Sequence, residues 1–343
     1  NAHYAIADEC KAVQNDVGVI DISGSSKFMV SGKDANKFLN FLSCNKLPQT
    51  IGAIGLTLFH SQRGGILTEQ SITKINDDVY YLVGPILSEN RDQDWMQSHA
   101  KNFRVQIENQ TETTSSLLVT GPKSRELLQK IVKDDLSNSS LPWLKSKNML
   151  IDSAQVRVIR VSYAGELGFE LHMPNYQLIS IYESLSRIGE DMGLRDFGGY
   201  AFNSLRMEKM YRAWGSEFTE EISGIEAGME KFIDINREFI GSENIKKRMN
   251  KDMDVVLVYL VFDDDIQSEC YGNEAVFYRD NLIGLTTSGA YGFRIKKSLA
   301  FAYIKPAFAN EGQKLKVLTT AGMRLCHIEV SAAYDPENRK LRA

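Results

Sequence analysis

The chain has 343 residues, 43% of them apolar and 24% charged, with a formal net charge of −4. That composition supports a sizeable buried core, spread over roughly two to three domains. It argues against nucleic acid as a main partner, since duplex binders carry a strong basic excess, and no apolar run approaches the ~18 residues that read as a membrane span. The four cysteines (Cys10, Cys44, Cys270, Cys326) form no CxxC pair, and the five histidines (His3, His60, His99, His172, His327) show no HExxH spacing. A zinc site or a disulfide framework is therefore not expected. The thiols read as reduced and packed, in a cytoplasmic setting.

In chain order, "SKFMVSG" reads as a strand and "DANKFLNFLSC" as a helix. "SSLLVTG" and "PKSRELLQKIV" repeat the pattern of strand, glycine turn and helix, at Val30-Ser31-Gly32 and Val119-Thr120-Gly121. The repeat predicts two related α/β lobes. Between them, "GGILTEQSIT" and "VYYLVGP" predict a hairpin around "KINDD". "VRVIRVSYAGELGFELHMP" predicts a second hairpin. "NYQLISIYESLSRIGEDMG" and "GGYAFNSLRMEKMYRAWG" have helical spacing, with Gly215 as the stop of the latter. From about Asp254 six short strands follow, which predicts a small barrel or sandwich. The charged stretch "NIKKRMNKDMD" reads as a linker, and the terminal "DPENRKLRA" as frayed.

Three places concentrate chemistry. In the second hairpin, alternation puts Arg157, Ile159, Val161 and Tyr163 on one face. Glu170 and His172 share a face opposite Phe169 and Leu171. A carboxylate so placed suits a ligand edge with two adjacent N–H donors, which it fixes through paired charge-assisted hydrogen bonds. By spacing alone, a solvent-facing glutamate is the commoner outcome. In "SQRGGILTEQSIT", Glu69 shares parity with Leu67 and Ser71. In an apolar pocket such a carboxyl has a raised pKa and can handle an amine proton; a solvated strand position is again commoner. Gly64-Gly65 allows a close backbone approach or a bulge, although ordinary turn use is commoner. In the helix, Arg206 starts an apolar stretch, and an inward guanidinium requires a carboxylate partner from protein or ligand; a surface arginine in a salt bridge is the commoner outcome. "GLTTSGAYGFRIKKS" reads as a loop with cations. No GxGxxG, GxxxxGK[ST] or GxSxG motif occurs, so these features by themselves name no reaction.

The ordered set "RVSYAGELGFELHMP", "GGYAFNSLRMEKMYRAWGSEF", "GIEAGMEKFIDINREFIGSENI" and "GLTTSGAYGFRIKKSLAFAYI" resembles the folate-binding half of dimethylglycine and sarcosine dehydrogenases. That half belongs to the aminomethyltransferase (glycine cleavage T-protein) family. "GVIDISGSSKFMVSG" and "LLVTGPKSRELL" extend the likeness over nearly the whole chain. The resemblance implies an α+β, three-domain cloverleaf: two α/β lobes and a small C-terminal β-barrel or jelly-roll-like domain around a central folate hole. The expected boundaries are 1–45 with 140–245, then 46–139, then 250–343.

The resemblance further implies that Tyr163 and Glu170 hold the pterin, with Glu166 in the turn or behind the site. Glu69 occupies the place of the family's catalytic acid, usually Asp and one methylene shorter. Arg206 and Tyr200 are implied beside the site, and Arg294 at the folate's anionic tail. The implied reaction carries a one-carbon unit from a methylated amine of the dimethylglycine or sarcosine type to tetrahydrofolate, giving 5,10-methylenetetrahydrofolate. No flavin fingerprint is present in this chain, so either it is a folate lobe served by a flavoprotein dehydrogenase partner, the natural expectation, or it works on a pre-formed adduct as the T-protein does; neither nucleic acid nor membrane is expected. Two alternatives stay open. One is a folate-dependent demethylase of a sulfur or oxygen compound, giving 5-methyltetrahydrofolate. The other is a non-catalytic folate-binding protein, although "EFIGSENI" lacks the cysteine of the family's iron–sulfur-assembly members.

Overall fold

The computed structural model describes residues 2–249 and 253–343. It opens with α1 (Ala2–Asn15) and β1 (Val17–Asp21). β2 (Ser26–Ser31), α2 (Ala35–Leu42), β3 (Ile54–His60), β4 (Ile66–Asn76), β5 (Val79–Gly84), α3 (Glu89–His99) and β6 (Gln106–Asn109) follow. Next come β7 (Thr114–Thr120), α4 (Ser124–Gln129), β8 (Ser146–Ile151), β9 (Ala154–Ile159), β10 (Gly168–Pro174), α5 (Leu178–Gly189), β11 (Leu194–Asp196) and α6 (Gly199–Glu208). After a long irregular stretch stands α7 (Ser242–Met249). The last six strands are β12 (Val256–Phe262), β13 (Ala275–Tyr278), β14 (Asn281–Gly292), β15 (Lys297–Ile304), β16 (Lys314–Thr319) and β17 (Gly322–Glu329).

These elements make two open sheets and one closed barrel. The first sheet has the order β11-β1-β7-β10-β9-β8, the second β3-β4-β5-β2-β6, and β12-β15-β14-β13-β16-β17 closes on itself. Each has its own core. In the first lobe, alternation along β10 sends Phe169, Leu171 and Met173 inward, where Ile181 and Leu185 of α5 cover them. In the middle lobe, Phe38, Leu39 and Leu42 of α2 pack on Phe28, Val30, Phe59, Ile72 and Leu82. Val258, Leu260, Ala300, Ala302, Val317 and Ile328 fill the barrel. Burial on this scale supplies most of the driving force, at about 25 cal/mol per Å² of apolar surface removed from water. The remaining faces of the open sheets meet each other, with Ile54 and Tyr81 of the middle lobe against Ile159 of the first.

The repeat seen in the sequence has a backbone cause. Gly32 after β2 and Gly121 after β7 take φ of +125° and +130°, and both turn a strand into a helix. A Cβ would lie 2.2 Å from the Arg104 carbonyl oxygen at Gly32, and 2.6 Å from that of Asp16 at Gly121. Only glycine fits both turns.

The pairing corrects several expectations. β2 pairs with β5 and β6, so residues 26–45 belong to the middle lobe. β7 pairs with β1 and β10, which moves 114–139 into the first. The boundaries near 45 and 139 are thus displaced because one strand–glycine–helix unit sits in each lobe. α6 stops at Glu208, not at Gly215: the next turn breaks at Met210, whose φ is +58°, and the Tyr211 amide folds back onto the Arg206 carbonyl at 3.0 Å. The expected linker is helical over its first six residues, within α7; residues 250–252, and with them the expected domain start at 250, lie outside the described residues. "GLTTSGAYG" is strand within β14 and not loop. The C-terminal residues are tied down: the Arg160 guanidinium donates to the carbonyls of Arg342 and Ala343, and Leu341 is buried. No helix among the described residues is long and apolar enough to cross a membrane.

Candidate active site

Four side chains converge where the lobes and barrel meet. Glu69 comes from β4, Tyr163 from the turn between β9 and β10, Arg206 from α6, and Glu217 from the segment after it. Glu217 is wholly buried and fully bonded. Its Oε1 accepts from the hydroxyls of Thr287 and Ser288, both at 2.6 Å. Its Oε2 accepts from the Ala213 amide at 2.8 Å and from Arg206 Nη1 at 3.2 Å. A register shift in β14 between Thr286 and Ser288 aims both hydroxyls at this carboxylate, as bulges re-aim side chains.

Arg206 is buried, and it is occupied. Nε donates to Asn203 Oδ1 at 2.9 Å, Nη1 to the Tyr211 carbonyl at 3.0 Å, and Nη2 to Ser288 Oγ at 3.0 Å. The carboxylate partner that an inward guanidinium requires is supplied by the protein itself. Breaking such a pair costs about 3–5 kcal/mol, because the surviving charge is left uncompensated.

Glu69 contrasts with both. Among the described residues its carboxyl has no hydrogen bond and no ion pair. It is set deep yet keeps part of its surface open, as a side chain lining an internal space does. Its pKa is pushed up to about 7, first by burial and then by the nearby Glu217 carboxylate, against the pull of Arg206. Tyr163 shares this environment. Its ring stacks on Tyr211, with centroids 5.5 Å apart and 22° between planes, and meets Phe202 edge-on at 5.5 Å. Its hydroxyl donates to the Arg212 carbonyl. Burial raises its pKa, so the phenol stays neutral. The glycine pair makes a close backbone approach as well as a turn: a Cβ on Gly65 would lie 1.6 Å from the Glu220 carbonyl oxygen. That contact lays the Glu217 segment along the strand that bears Glu69.

Glu170 belongs to a neighbouring polar cluster. His172 Nε2 lies 3.0 Å from Glu170 Oε2, and His172 Nδ1 lies 3.0 Å from the Tyr81 hydroxyl. Burial lowers the His172 pKa and keeps the ring neutral. The bonding is then consistent with Nε2–H donating to Glu170 while Nδ1 accepts from Tyr81. Beside this cluster a cleft of about 420 Å³ opens between the lobes, lined by Tyr81, Arg157 and His172. A second cleft, of about 350 Å³, lies on the barrel between Tyr278 and Leu325. Neither cleft includes Glu69 or Tyr163, so the candidate site rests on the carboxylate geometry and not on the surface hollows.

Two candidates are corrected. Tyr200 is 75% exposed in the first turn of α6. It stands six residues before Arg206, roughly 9 Å along the helix axis, and does not join the cluster. The Arg294 side chain is only 1% exposed and is consumed by the protein. Nη1 donates to Glu166 Oε1 at 2.9 Å, Nε donates to Glu208, and Nη2 donates to the Leu205 carbonyl at 3.1 Å. Its guanidinium also lies 3.8 Å over the Tyr334 ring. It has no free edge for an anionic tail. Glu166 is the turn residue that receives it. Sequence reasoning missed Glu217 and Tyr211: both follow the premature end of α6, where no periodicity marks which side chain turns inward.

Two α/β lobes capped by a closed barrel, with acids and an arginine buried at their junction, define a class of three-domain proteins. The description "GCVT N-terminal domain" matches residues 1–237, and "Glycine cleavage T-protein C-terminal barrel domain" matches residues 256–335. An aminomethyltransferase of Thermoanaerobacter sp. (strain X514) is 30% identical over 317 residues, covering 92% of this chain and 85% of that protein. The chain belongs to the glycine cleavage T-protein family of aminomethyltransferases. The mitochondrial dimethylglycine dehydrogenase of Mus musculus is 36% identical over 317 residues, which is 91% of this chain. The chain spans 36% of that relative's length. The crystal structure of the glycine cleavage system aminomethyltransferase T from Bartonella henselae shares the fold, with a TM-score of 0.88 at 21% identity over 96% of this chain and 90% of that one.

Proposed function

We propose that this chain moves a one-carbon unit from a methylated amine of the dimethylglycine or sarcosine type to tetrahydrofolate, with Glu69 as the proton-handling acid. The observation that carries the reading is Glu69 itself: a deep-set, partly open carboxyl with no bonded partner and a pKa near 7. A group poised there serves either as acid or as base at neutral pH. Bound tetrahydrofolate supplies the ring nitrogen that takes up the one-carbon unit, giving the 5,10-methylene form.

The residues present fit such a ligand. The Tyr163–Tyr211 stack offers an aromatic wall to a flat ring system. Glu170, oriented by His172, offers a carboxylate to an aminopyrimidine edge. Glu69 stabilises positive charge on the amine and accepts its proton. Arg206 acts at one remove, since it holds Glu217, and Glu217 in turn raises the Glu69 pKa. Holding two reactants in attack geometry is worth several kcal/mol. Oxidation of the amine requires another agent. A flavoprotein dehydrogenase, on a longer chain or as a partner, fits the likeness to part of dimethylglycine dehydrogenase.

The test is calorimetric titration with tetrahydrofolate of the wild type beside Glu170→Gln. Binding by the wild type and a loss of about 1.5–3 kcal/mol in the variant are expected for a hydrogen bond to a charged group. A wild type that ignores tetrahydrofolate sinks the reading. The product separates the main alternative: 5-methyltetrahydrofolate would mean a demethylase.

A further inference from the structure

With Arg206 and Arg294 committed to protein carboxylates, the next guanidinium at this junction is that of Arg212. It follows directly on Tyr211, and its carbonyl accepts the Tyr163 hydroxyl. The side chain lies against the Phe301 ring of the barrel, at 5.7 Å, and against Gly228. Gly228 has φ of +66°, and a Cβ there would stand 3.0 Å from Nη2. A glycine at that place leaves the guanidinium room.

Its bonding is sparse. A guanidinium carries five N–H donors. For Arg212 one bond is made, from Nη1 to the Met210 carbonyl at 3.2 Å. Its Nε is shut from solvent and has no acceptor. No carboxylate among the described residues forms an ion pair with it. Glu217 is in electrostatic reach but already holds four donors, and Glu230 stands on the surface. Like Glu69 and Tyr163, Arg212 is partly open. A deep cation without a counter-charge is costly to keep for the sake of folding alone.

We propose that Arg212 is an anion-binding residue of this site and takes a carboxylate of the bound ligand. The proposal rests on the functional reading above and extends it. Planar, bidentate recognition of a carboxylate is what a guanidinium does best. Two ligands at such a site carry one: the glutamyl end of a folate, and an N-methylated amino acid.

The experiment compares wild type, Arg212→Met and Arg212→Lys by calorimetry with four probes. Tetrahydrofolate and sarcosine carry the carboxylate; tetrahydropterin and dimethylamine lack it. The free proteins are also unfolded in urea. Arg212→Met is expected to bind one carboxylated probe roughly 10- to 100-fold more weakly. The probes without carboxylate should be unaffected, and Arg212→Lys should fall between. The urea midpoint should hold or rise, since an uncompensated cation has been removed. Whichever carboxylated probe weakens identifies the source. Unchanged binding of both carboxylated probes overturns the proposal. So does a uniform loss with all probes together with a lowered midpoint, which marks a structural arginine. A wild type that binds neither carboxylated probe overturns it as well. If wild type ignores tetrahydrofolate yet binds sarcosine through Arg212, the folate reading falls and Arg212 stands.

Discussion

Two buried arginine–carboxylate networks lie side by side at the C-terminal end of α6, and only one is closed. Around Arg294, the carboxylates of Glu166 and Glu208 are each bonded, and the Tyr334 hydroxyl adds a 2.6 Å bond to Glu166. Lys209 reaches the Asp335 carbonyl at 2.6 Å alongside. Every charge there faces another across the joint between the hairpin turn, α6, the barrel and the C-terminal segment. Around Arg206, Glu217 is equally saturated, but Glu69 is unbonded and partly open. The same residue types therefore serve as a clamp in one place and leave an unbonded acid in the other. What separates them is whether bonding capacity and open surface are left over, not charge.

Opening the closed network should produce the largest effect. Arg294→Met leaves Glu166 and Glu208 buried without their cation. The expected loss is about 3–5 kcal/mol of stability, read as an earlier urea transition. A transition unmoved by this change would show that the joint does not depend on the clamp.

Changing the open network should do the reverse. Between pH 4.5 and about 7, folded Glu69 keeps a proton that the unfolded chain has released. Wild-type stability therefore falls as pH rises through that window, and stays low above it. Glu69→Gln carries no such titration. It should match wild type near pH 4.5 and exceed it by on the order of 1–3 kcal/mol at pH 8. One-carbon transfer should meanwhile drop by roughly 10²- to 10⁴-fold. Parallel pH–stability curves for the two proteins would remove the argument for a raised pKa.

Much of this was legible in the sequence, and the gaps have physical causes. All six barrel strands were legible because period-2 patterning and turn residues are local signals. The lobe repeat was legible because two glycines answer one backbone demand. The lobe boundaries were not, since strand pairing across Ser26–Ser31 and Thr114–Thr120 is non-local. Glu69 and Tyr163 could be named, through resemblance, but not their meeting. For Arg206 the need of an inward guanidinium for a carboxylate was legible, but a surface salt bridge was the commoner expectation, and the protein itself supplies the partner. Its partner, eleven residues on in an irregular segment, follows no period. Arg294 was misread because a cation in a glycine-rich stretch looks like a ligand contact until its acceptors are counted.

The smallest effects separate the two tyrosines expected at the site. Tyr163→Phe removes one hydrogen bond and leaves the Arg212 carbonyl without its donor, while the ring stack on Tyr211 survives. A loss of about 1 kcal/mol is expected, with weaker tetrahydrofolate binding if the carbonyl and guanidinium of Arg212 shift together. Tyr200→Ala removes a ring that is 75% exposed. Its stability change should stay within about 0.5 kcal/mol, and tetrahydrofolate titration should match wild type. A clear loss of binding in Tyr200→Ala would mean that a bound ligand extends past the first turn of α6, and the site drawn around Glu69 would have to grow in that direction.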